Sequence, residues 1–422
     1  MALTQLKTAA IADDAVTEDK LANAINTARA ANTAKTTNAT HTGDVTGSGS
    51  LTIADNAVTL AKMAGGTDGQ IITYDASGDP VAVGPGTDGQ VLTSTGAGSP
   101  PAFEAIPASG RSYNIIVNGE MSVAQRGTSS TSTGYATVDR MNWGLSGHSV
   151  TVTQSQHALT SSDTGPWEKG FRHSAHIALS GAGTMATNTT MSMFYKVEAQ
   201  DIANSGWEYT NTSSNITVSF WLKVSTVQTF YLLLYTSDGT SKSIVKEVTP
   251  ANTNWNKFTF TIPGHADLQF DNDNGEGLSC ALIVTYGTNK TGSGNNLNSW
   301  GNYNDSERVP DMASTWLTAG ASTYEFTGLQ LEVGDSASDY PHESYGENLA
   351  RCQRYYHSVS QAVWNNIVYQ NHYHPTTMRA NPTITSTSTG PNATRKNNWY
   401  GKKSSGGIEG GVSFDWTASA EL

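Results

Sequence analysis

The sequence has little charge and almost no cysteine, and each shortage excludes a class of protein. Only 14% of its 422 residues are charged, against about 25% in an average globular domain. Because 36 acidic residues outnumber 24 basic ones, the net charge is −12, which leaves no large basic surface for a phosphate backbone. Two cysteines, Cys280 and Cys352, cannot form the disulfide framework of a secreted protein. We therefore expect no nucleic-acid partner, and synthesis in a reducing compartment.

Long apolar runs are also missing. No stretch approaches the roughly 18 to 20 apolar residues that span a bilayer. Residues 1–12 lack the cationic segment and the apolar stretch of a signal peptide. We expect neither membrane insertion nor secretion through a signal peptide.

The first 110 residues contain two kinds of internal repeat. The run IADDAVT at 11–17 returns as IADNAVT at 53–59, and GTDGQIIT at 66–73 returns as GTDGQVLT at 86–93. Each repeat is too small and too polar to bury a core alone, whereas three chains around one axis would bury the sparse apolar residues and pair the strand edges. The sequence predicts a homotrimeric, extended fibre shaft at 1–110. A disordered polar linker is the alternative for residues 1–50.

Residues 111–344 have the pattern of an antiparallel β-sandwich. Short apolar runs are separated by Gly, Pro, Asn, Asp or Ser, and Ser237-Asp238-Gly239-Thr240 reads as a hairpin turn. In residues 216–222 the alternation places Val218, Phe220 and Leu222 inward. The predicted strands are Asn114 to Val117, Ser149 to Thr153, His173 to Leu179, Asn215 to Val224, Thr229 to Tyr235, Lys242 to Val248, Asn256 to Ile262, Leu278 to Tyr286 and Tyr324 to Val333.

The end of the predicted sandwich changes period. Strict alternation over 324–333 puts Phe326 on the face opposite Leu329 and Leu331. Between Tyr345 and Tyr356 the apolar residues recur at three and four, which predicts a short helix. Residues 345–422 then form a small β-rich C-terminal tip, with strands predicted at 363–373, 382–386 and 411–416. The predicted fold class is therefore mainly β: a repetitive extended shaft, a jelly-roll sandwich and a small tip in a homotrimer.

Four segments form a recognisable pattern. Residues 114–127 read NIIVNGEMSVAQRG, 138–143 read VDRMNW, 330–334 read QLEVG and 352–356 read CQRYY. In this order they resemble the carbohydrate-binding-module-like jelly roll found in many bacteriophage tail fibres. That family has tryptophan directly after the Val-Asp-Arg, where this chain has Met141 and then Trp143. The resemblance covers about residues 114–356.

The resemblance implies a structural tail fibre that recognises the host surface, through glycan binding without catalysis. Its partners would be two further copies of itself, a tail or baseplate protein at the N-terminal end, and a bacterial surface glycan or other surface receptor. It would be assembled in the host cytoplasm, reside in the virion and need no cofactor. A head fibre or capsid-decorating appendage, and a polysaccharide-degrading tailspike, are the alternatives.

Acidic residues do not predict a catalytic site. Glycan hydrolysis needs two carboxylates about 5 to 9.5 Å apart across a cleft. Asp273 with Glu276, and Glu325 with Glu332, are the candidate pairs, but a spacing of seven on one strand predicts that the second pair lies on opposite faces. We interpret these groups as turn and surface carboxylates and predict that the protein is not an enzyme.

Two segments contain residue types that bind metals. DNDNGE at 271–276 has oxygen ligands without the spacing of an EF-hand, so an exposed turn is the interpretation and an irregular calcium site the alternative. His372 and His374, two apart on a predicted strand, would point to one side and converge in a trimer. Because the sequence contains a single such pair, they are candidate ligands and no metal is predicted.

Aromatic side chains are the remaining indication of a binding site. Trp300 and Tyr303 lie in a Gly/Asn-rich stretch, and Trp399 and Tyr400 precede two lysines in the tip. Sugar rings stack on flat aromatic faces while amides and hydroxyls bind their hydroxyl groups. We predict these four residues as carbohydrate-binding, with packing in a trimer interface as the alternative.

Overall fold

The computed structural model describes residues 23–36, 45–46, 52–53, 65–105, 113–363, 369–386, 393–395, 399–403 and 412–422. Two units are present, Met1–Ile106 and Pro107–Leu422. Within the described ranges, no helix is both long enough and apolar enough to cross a membrane. The repeat at 11–17 and 53–59 lies outside the described residues except for Ile53.

The elements are numbered along the chain. The helices are α1 (Asn23–Thr36), α2 (Ala199–Ala203), α3 (Thr315–Thr318) and α4 (Tyr345–Gln353). The strands are β1 (Val45–Thr46), β2 (Thr52–Ile53), β3 (Ile71–Tyr74), β4 (Pro80–Val83), β5 (Gln90–Thr93), β6 (Ala102–Ala105), β7 (Ser129–Ser130), β8 (Asn142–Ser146), β9 (Val152–Ala158), β10 (His173–Leu179), β11 (Thr190–Glu198), β12 (Asn215–Val224), β13 (Phe230–Thr236), β14 (Lys242–Val248), β15 (Asn256–Pro263), β16 (Glu276–Tyr286), β17 (Gly301–Asn302), β18 (Thr323–Val333), β19 (Tyr356–Val363), β20 (Tyr369–Tyr373), β21 (Thr383–Ser386), β22 (Ala393–Arg395), β23 (Trp399–Lys403) and β24 (Val412–Ser419).

In the first unit, the second repeat forms two equivalent β-hairpins. Each GTDGQ sequence makes the same turn, in which the Gln side chain accepts from the Thr amide, at 2.7 Å for Thr67 and 2.6 Å for Thr87. Gly69 and Gly89 occupy the turn at φ 79° and 85°, a conformation that favours glycine. The turns lead into the hairpins β3–β4 and β5–β6.

These hairpins leave apolar side chains in water. Ile72 is 57% and Tyr74 66% exposed, and Val91 and Leu92 of the second hairpin are also exposed. Helix α1, an element that the sequence did not predict, exposes Ile25 as well. Trimerisation and the extended shaft remain predictions for this unit.

The second unit contains the predicted antiparallel β-sandwich, which is confirmed. Its first sheet has the strand order β15-β12-β18-β10-β9-β7 and its second sheet the order β17-β14-β13-β16-β11-β8. One hydrophobic core lies between them, and Val218, Phe220 and Leu222 point into it as predicted. Three strands, β10, β12 and β14, begin and end where the sequence predicts. The sequence prediction missed β8 and β11 in the second sheet.

A β-bulge in β18 overturns the predicted alternation. The register with β12 shifts between Ser219 and Trp221, opposite Gly328, which has a φ of 65°. The extra residue places Phe326 in the core together with Leu329 and Leu331. It also puts Glu325 and Glu332 on the same, outer face. The prediction that these two carboxylates face opposite ways was therefore wrong.

The segment at 114–117 is not a strand, contrary to prediction. The Asn114 side chain makes hydrogen bonds to β18 that a neighbouring strand would otherwise make. Its amide oxygen accepts from the Leu331 backbone amide at 2.9 Å, and its amide nitrogen donates to the Leu329 carbonyl at 3.0 Å. Asn118 follows at φ 60° and holds the carbonyls of Val123 and Asp139, both at 2.9 Å. The segment is thus tied by these asparagine side chains together with single backbone bonds, such as that from the Ile115 amide to the Leu331 carbonyl at 2.9 Å.

Helix α4 and the C-terminal segment pack on this asparagine-rich region. Helix α4 confirms the predicted short helix and begins with a capping box formed by Ser344 and Glu347. Beyond it, β19-β24-β21 and β20-β23-β22 form two three-stranded sheets. Glu421, near the end of the chain, binds Arg140 at 2.5 Å and Arg126 at 3.0 Å.

Both arginines are enclosed by the CQRYY sequence. The guanidinium of Arg140 lies 3.5 Å from the ring centre of Tyr355, and that of Arg126 lies 3.5 Å from the ring centre of Tyr356. Since the Arg140 side chain is only 1% exposed, its charge depends on the Glu421 carboxylate. The C-terminal segment and the sandwich are therefore joined by a buried ion pair.

Replacing Gly328 with alanine should destabilise the second unit by about 1 to 3 kcal/mol. A β-carbon would add backbone strain at φ 65° and would lie 2.7 Å from the Phe171 ring. Urea denaturation monitored by circular dichroism gives the free energy of unfolding. Gly181→Ala is the matched control, because that position has no heavy atom within 4 Å of an added β-carbon. Equal effects of the two variants would contradict the importance of the bulge.

Glu421→Gln should lower the free energy of unfolding by about 3 kcal/mol, because it leaves the buried Arg140 charge without its carboxylate. Asp339→Asn is the control, since its 96% exposed carboxylate lies 3.6 Å from Lys169 and should contribute nothing measurable. Thermal and urea unfolding of both variants check this. An unchanged midpoint for Glu421→Gln would show that the ion pair is not needed.

Candidate functional site

The outer face of the second sheet carries a second apolar cluster. It consists of Tyr231, Leu233, Val245, Ala281, Ile283, Tyr286 and Val309. The segment 287–312 runs over this face, held by backbone hydrogen bonds that include Val245 to Asn296 at 3.0 Å. Tyr303 and Met312 from that segment pack on the cluster. The segment therefore covers part of the face, and a depression remains beside it.

That depression, the second-sheet pocket, has a volume of about 300 Å³. Its lining combines small hydroxyl and amide side chains with two aromatic rings and two cations. The lining residues are Gly144, Ser146, Asn188, Thr190, Ser192, Phe194, Tyr286, Asn289, Lys290 and Arg308. This volume lies at the lower end of the range for small-ligand sites.

The strands β8 and β11 place the floor of the pocket. Ser192 pairs with Gly144 and Thr190 with Ser146, so these residues share the outer face. A side chain at position 144 would press on the half-buried Phe194 ring, since a β-carbon there would lie 3.2 Å from Phe194 Cε2. Glycine at this position therefore keeps one part of the ring uncovered.

Hydrogen bonds fix the polar groups around the floor. The Ser146 and Thr190 hydroxyls are 2.7 Å apart, and the Tyr286 hydroxyl donates to the Ser192 hydroxyl at 3.1 Å. Burial raises the pKa of Tyr286 above its ordinary value, so its hydroxyl stays protonated at neutral pH. The site thus presents neutral donors and acceptors.

Asp305 neutralises much of the positive charge at the rim. Its carboxylate binds both the Lys290 ammonium and the Arg308 guanidinium, and these contacts lower the pKa of Asp305. Burial alone would lower the pKa of Arg308, but the interactions with Tyr286 and Asp305 raise it overall. The two side chains are therefore oriented and partly paired.

Such a lining suits a sugar ring. An aromatic face supports the apolar face of the ring, and the hydroxyls and amides can exchange hydrogen bonds with its hydroxyl groups. Among the residues that line this pocket, none carries a carboxylate. The geometry therefore supplies recognition groups without an acid and base pair.

Of the four aromatic residues predicted from the sequence, Tyr303 packs on this face and Trp300 does not. Tyr303 stacks on Tyr235 with ring centres 5.0 Å apart, and its hydroxyl donates to Asp305 at 3.1 Å. Trp300 packs against the core between the sheets and donates from its indole nitrogen to the Pro263 carbonyl at 2.7 Å. Their rings thus contact different clusters, and neither residue lines the second-sheet pocket.

The other two predicted residues lie in the tip. Trp399 and Tyr400 belong to β23, where they pair with Tyr373 and His372 of β20. Their side chains lie outside the described part of the structure. Glycan binding at these two residues stays a prediction.

The histidine candidates are separated by the end of β20. His372 lies within that strand and His374 follows it. The His374 ring is buried 6.0 Å from the His357 ring and 5.9 Å from that of Trp416. Across the described residues, no group of three or more His, Cys, Asp or Glu is placed to hold a metal ion.

The acidic candidates make contacts within the protein. Asp273 accepts from the Gly275 amide at 2.8 Å in the 271–276 turn, and Glu276 pairs with Lys196 at 2.7 Å. Glu325 accepts from Ser174 at 2.6 Å and lies 2.9 Å from His157. Glu332 accepts from Ser338.

Sequence reasoning missed Phe194 because it missed strand β11. Tyr286 ends strand β16, in the run that the sequence predicts as a strand, but was not singled out as a binding residue. Strand β11, TMSMFYKVE, has Met191, Met193 and Tyr195 facing the core and Ser192 and Phe194 facing out. Methionine is not enriched in strands, so the run gave a weak strand signal. The alternation itself was the signal that could have identified Phe194 as an outward aromatic residue.

No protein-family model and no curated protein matches the chain. Among solved structures, the chain is similar to a family 4 carbohydrate-binding module at 14% identity and a TM-score of 0.28, over 52% of this chain and 99% of that one. A family 11 carbohydrate-binding module from Clostridium thermocellum, in complex with a β-1,3-1,4-mixed-linked tetrasaccharide, shares 9% identity at a TM-score of 0.24, over 49% and 95% of the two chains. The enzymatically active domain of tailspike protein 4 from bacteriophage CBA120 shares 9% identity at a TM-score of 0.28. That match covers 52% of this chain and 21% of the tailspike chain. At these scores the similarities carry no functional argument, and the site is argued from its own residues.

Proposed function

We propose that this protein is a non-enzymatic, homotrimeric bacteriophage tail fibre that adsorbs to the host surface by binding a glycan. The second-sheet pocket is the binding site in this proposal. The chain would be assembled in the host cytoplasm and reside in the virion, with its N-terminal end on a tail or baseplate protein.

The lining of the second-sheet pocket is the observation that carries the proposal. Phe194 offers a flat ring, while Asn188, Asn289 and the hydroxyls of β8 and β11 surround it with neutral donors and acceptors. Lys290 and Arg308 at the rim can bind acidic or neutral sugar oxygens, because their ion pairs with Asp305 hold them in place. A polar ring with one apolar face is the ligand that matches this combination.

The absence of carboxylates from the pocket lining supports binding without catalysis. Acid-base hydrolysis of a glycosidic bond requires two carboxylates across the bound sugar. Asp305, the acidic residue at the rim, is ion-paired and has a lowered pKa, which makes it a poor general acid.

The assembly argument rests on the first unit. Its hairpins expose Ile71, Ile72, Tyr74, Val91 and Leu92, which a single chain cannot cover with so few residues. Three chains packed along one axis would bury these side chains and present three glycan sites at once. Avidity then turns weak single-site binding into firm adsorption.

Phe194→Leu should weaken binding of the fibre to a host surface polysaccharide about tenfold, because leucine keeps the apolar packing but removes the flat face. Isothermal titration with purified polysaccharide fragments measures the affinity per chain. Tyr345→Ala, an exposed aromatic residue outside the pocket, is the matched control and should bind normally.

The same preparations locate the site and test for catalysis. Loss of binding in Trp399→Ala or Tyr400→Ala, with normal binding in Phe194→Leu, would move the site to the tip. Release of reducing sugar from the intact polysaccharide would overturn the non-enzymatic assignment.

We expect the full chain to be a trimer in solution. Light scattering after size exclusion should give three times the chain mass of 44.7 kDa. Ile72→Ser combined with Leu92→Ser should shift the mass towards the monomer, because it removes exposed apolar side chains of both hairpins. A monomeric wild-type protein would contradict the shaft.

A further inference from the structure

A second pocket lies on the outer face of the first sheet, on the other side of the core from the second-sheet pocket. This first-sheet pocket has a volume of about 400 Å³ and is lined by residues of β12, β15 and β18 and by the loops at 168–171 and 339–342. The glycan site described above does not include it, and of the four sequence motifs only QLEVG contributes to its lining, through Gln330. Its lining has an aromatic floor and includes two lysines, Lys169 and Lys257, and two carboxylates, Glu168 and Asp339.

The bulge in β18 creates the depression. Gly328 has no side chain, so the Phe171 ring rests against the backbone there, where a β-carbon would lie only 2.7 Å away. Phe171, Tyr340 and His342 form a cluster of three rings with centres 4.9 to 5.0 Å apart. His342 is held at 2.7 Å from the Lys169 carbonyl, which fixes this wall.

Trp221 and Lys257 face each other across the strand pair. They are direct partners in the register of β12 with β15, and both line the pocket. The Trp221 indole is half-buried, and the Gly165 backbone lies against its six-membered ring. A flat apolar surface and an ammonium group therefore stand side by side, as the adjacent positions of an antiparallel pair require.

Lys257 is the one lysine of this region that lacks a carboxylate. Lys169 lies 3.6 Å from Asp339, and Lys223 binds Asp163 at 2.9 Å. No carboxylate among the described residues lies within salt-bridge distance of Lys257. The remaining pocket acid, Glu168, accepts a hydrogen bond from the Gly165 amide. Lys257 is therefore the lysine of this pocket that no carboxylate of the described residues holds, and it lies next to the indole face.

We propose that the first-sheet pocket is a second carbohydrate site, specific for a sugar ring that carries a carboxylate. The ring stacks on Trp221, and its carboxylate accepts from the Lys257 ammonium. The Ser219 hydroxyl and the Gln330 side chain, which are partners across β12 and β18 on the same face, lie in the floor of the pocket, where the Gln330 amide donates to Ser338 at 3.1 Å. This site does not depend on the proposed function of the second-sheet pocket, whose two cations both pair with Asp305.

The test uses the full chain labelled with 5-fluorotryptophan. The Trp221 resonance is assigned in the ¹⁹F NMR spectrum by its loss in Trp221→Leu. A tetrasaccharide of glucuronic acid is titrated, and the carboxyl-reduced tetrasaccharide of glucose is the neutral control. We expect the Trp221 resonance to shift with the acidic ligand, with affinity at least tenfold above that for the neutral one.

Two charge variants complete the experiment. Lys257→Gln should weaken the acidic ligand about tenfold at the Trp221 resonance and leave the neutral one unchanged. Lys246→Gln, at a lysine that lines neither pocket and bonds Asn298 at 3.3 Å, should leave both unchanged at this resonance. The proposal is overturned if Trp221 does not respond to the acidic ligand, if both ligands bind equally, or if Lys257→Gln has no effect. These results do not depend on Phe194, so the experiment tests the first-sheet pocket independently of the second-sheet pocket.

Discussion

The extra residue at Gly328 is the constraint on which the sandwich and the faces of its first sheet depend. Strand β18 lies in the middle of that sheet, between β12 and β10, and supplies core residues on both sides of the bulge. Only a residue with little steric cost at φ 65° allows Phe326 and Leu329 to enter the same core. The same absence of a side chain opens the outer face, so that Phe171 can settle against the backbone and a pocket can form beside it.

The sequence pattern that resembles phage fibres has a structural role here. Asn114 and Asn118 hold backbone carbonyls that no strand satisfies. Asp139 accepts from the Gln125 amide at 3.0 Å, and burial raises the pKa of Asp139 to about 6 although Arg126 and Gln125 favour its charged form. Arg140 then connects this region to Glu421. The residues of this pattern therefore hold the sandwich and the C-terminal segment together. The asparagines and arginines of the pattern line neither the first-sheet nor the second-sheet pocket.

Both outer faces of the sandwich carry an aromatic surface beside a polar rim, but their electrostatics differ. In the second-sheet pocket two cations share Asp305, whereas Lys257 in the first-sheet pocket has no carboxylate among the described residues. Because only 14% of the residues are charged, one such ammonium changes the chemistry of a whole face. A glycan of mixed neutral and acidic residues could then be held on two faces by different chemistry.

Period-two alternation in the sequence determined the mainly β fold and the inward face of β12, because burial on one side of a strand imposes that pattern. The capping residues Ser344 and Glu347 determined where α4 begins. Tertiary structure alone decided which face Glu325 and Glu332 share, because a bulge changes the period without leaving a local signal beyond one glycine. It also decided that Phe194, Trp221 and Lys257 line pockets while Trp300 packs on the core, since each outcome depends on which strands become neighbours and on what covers them.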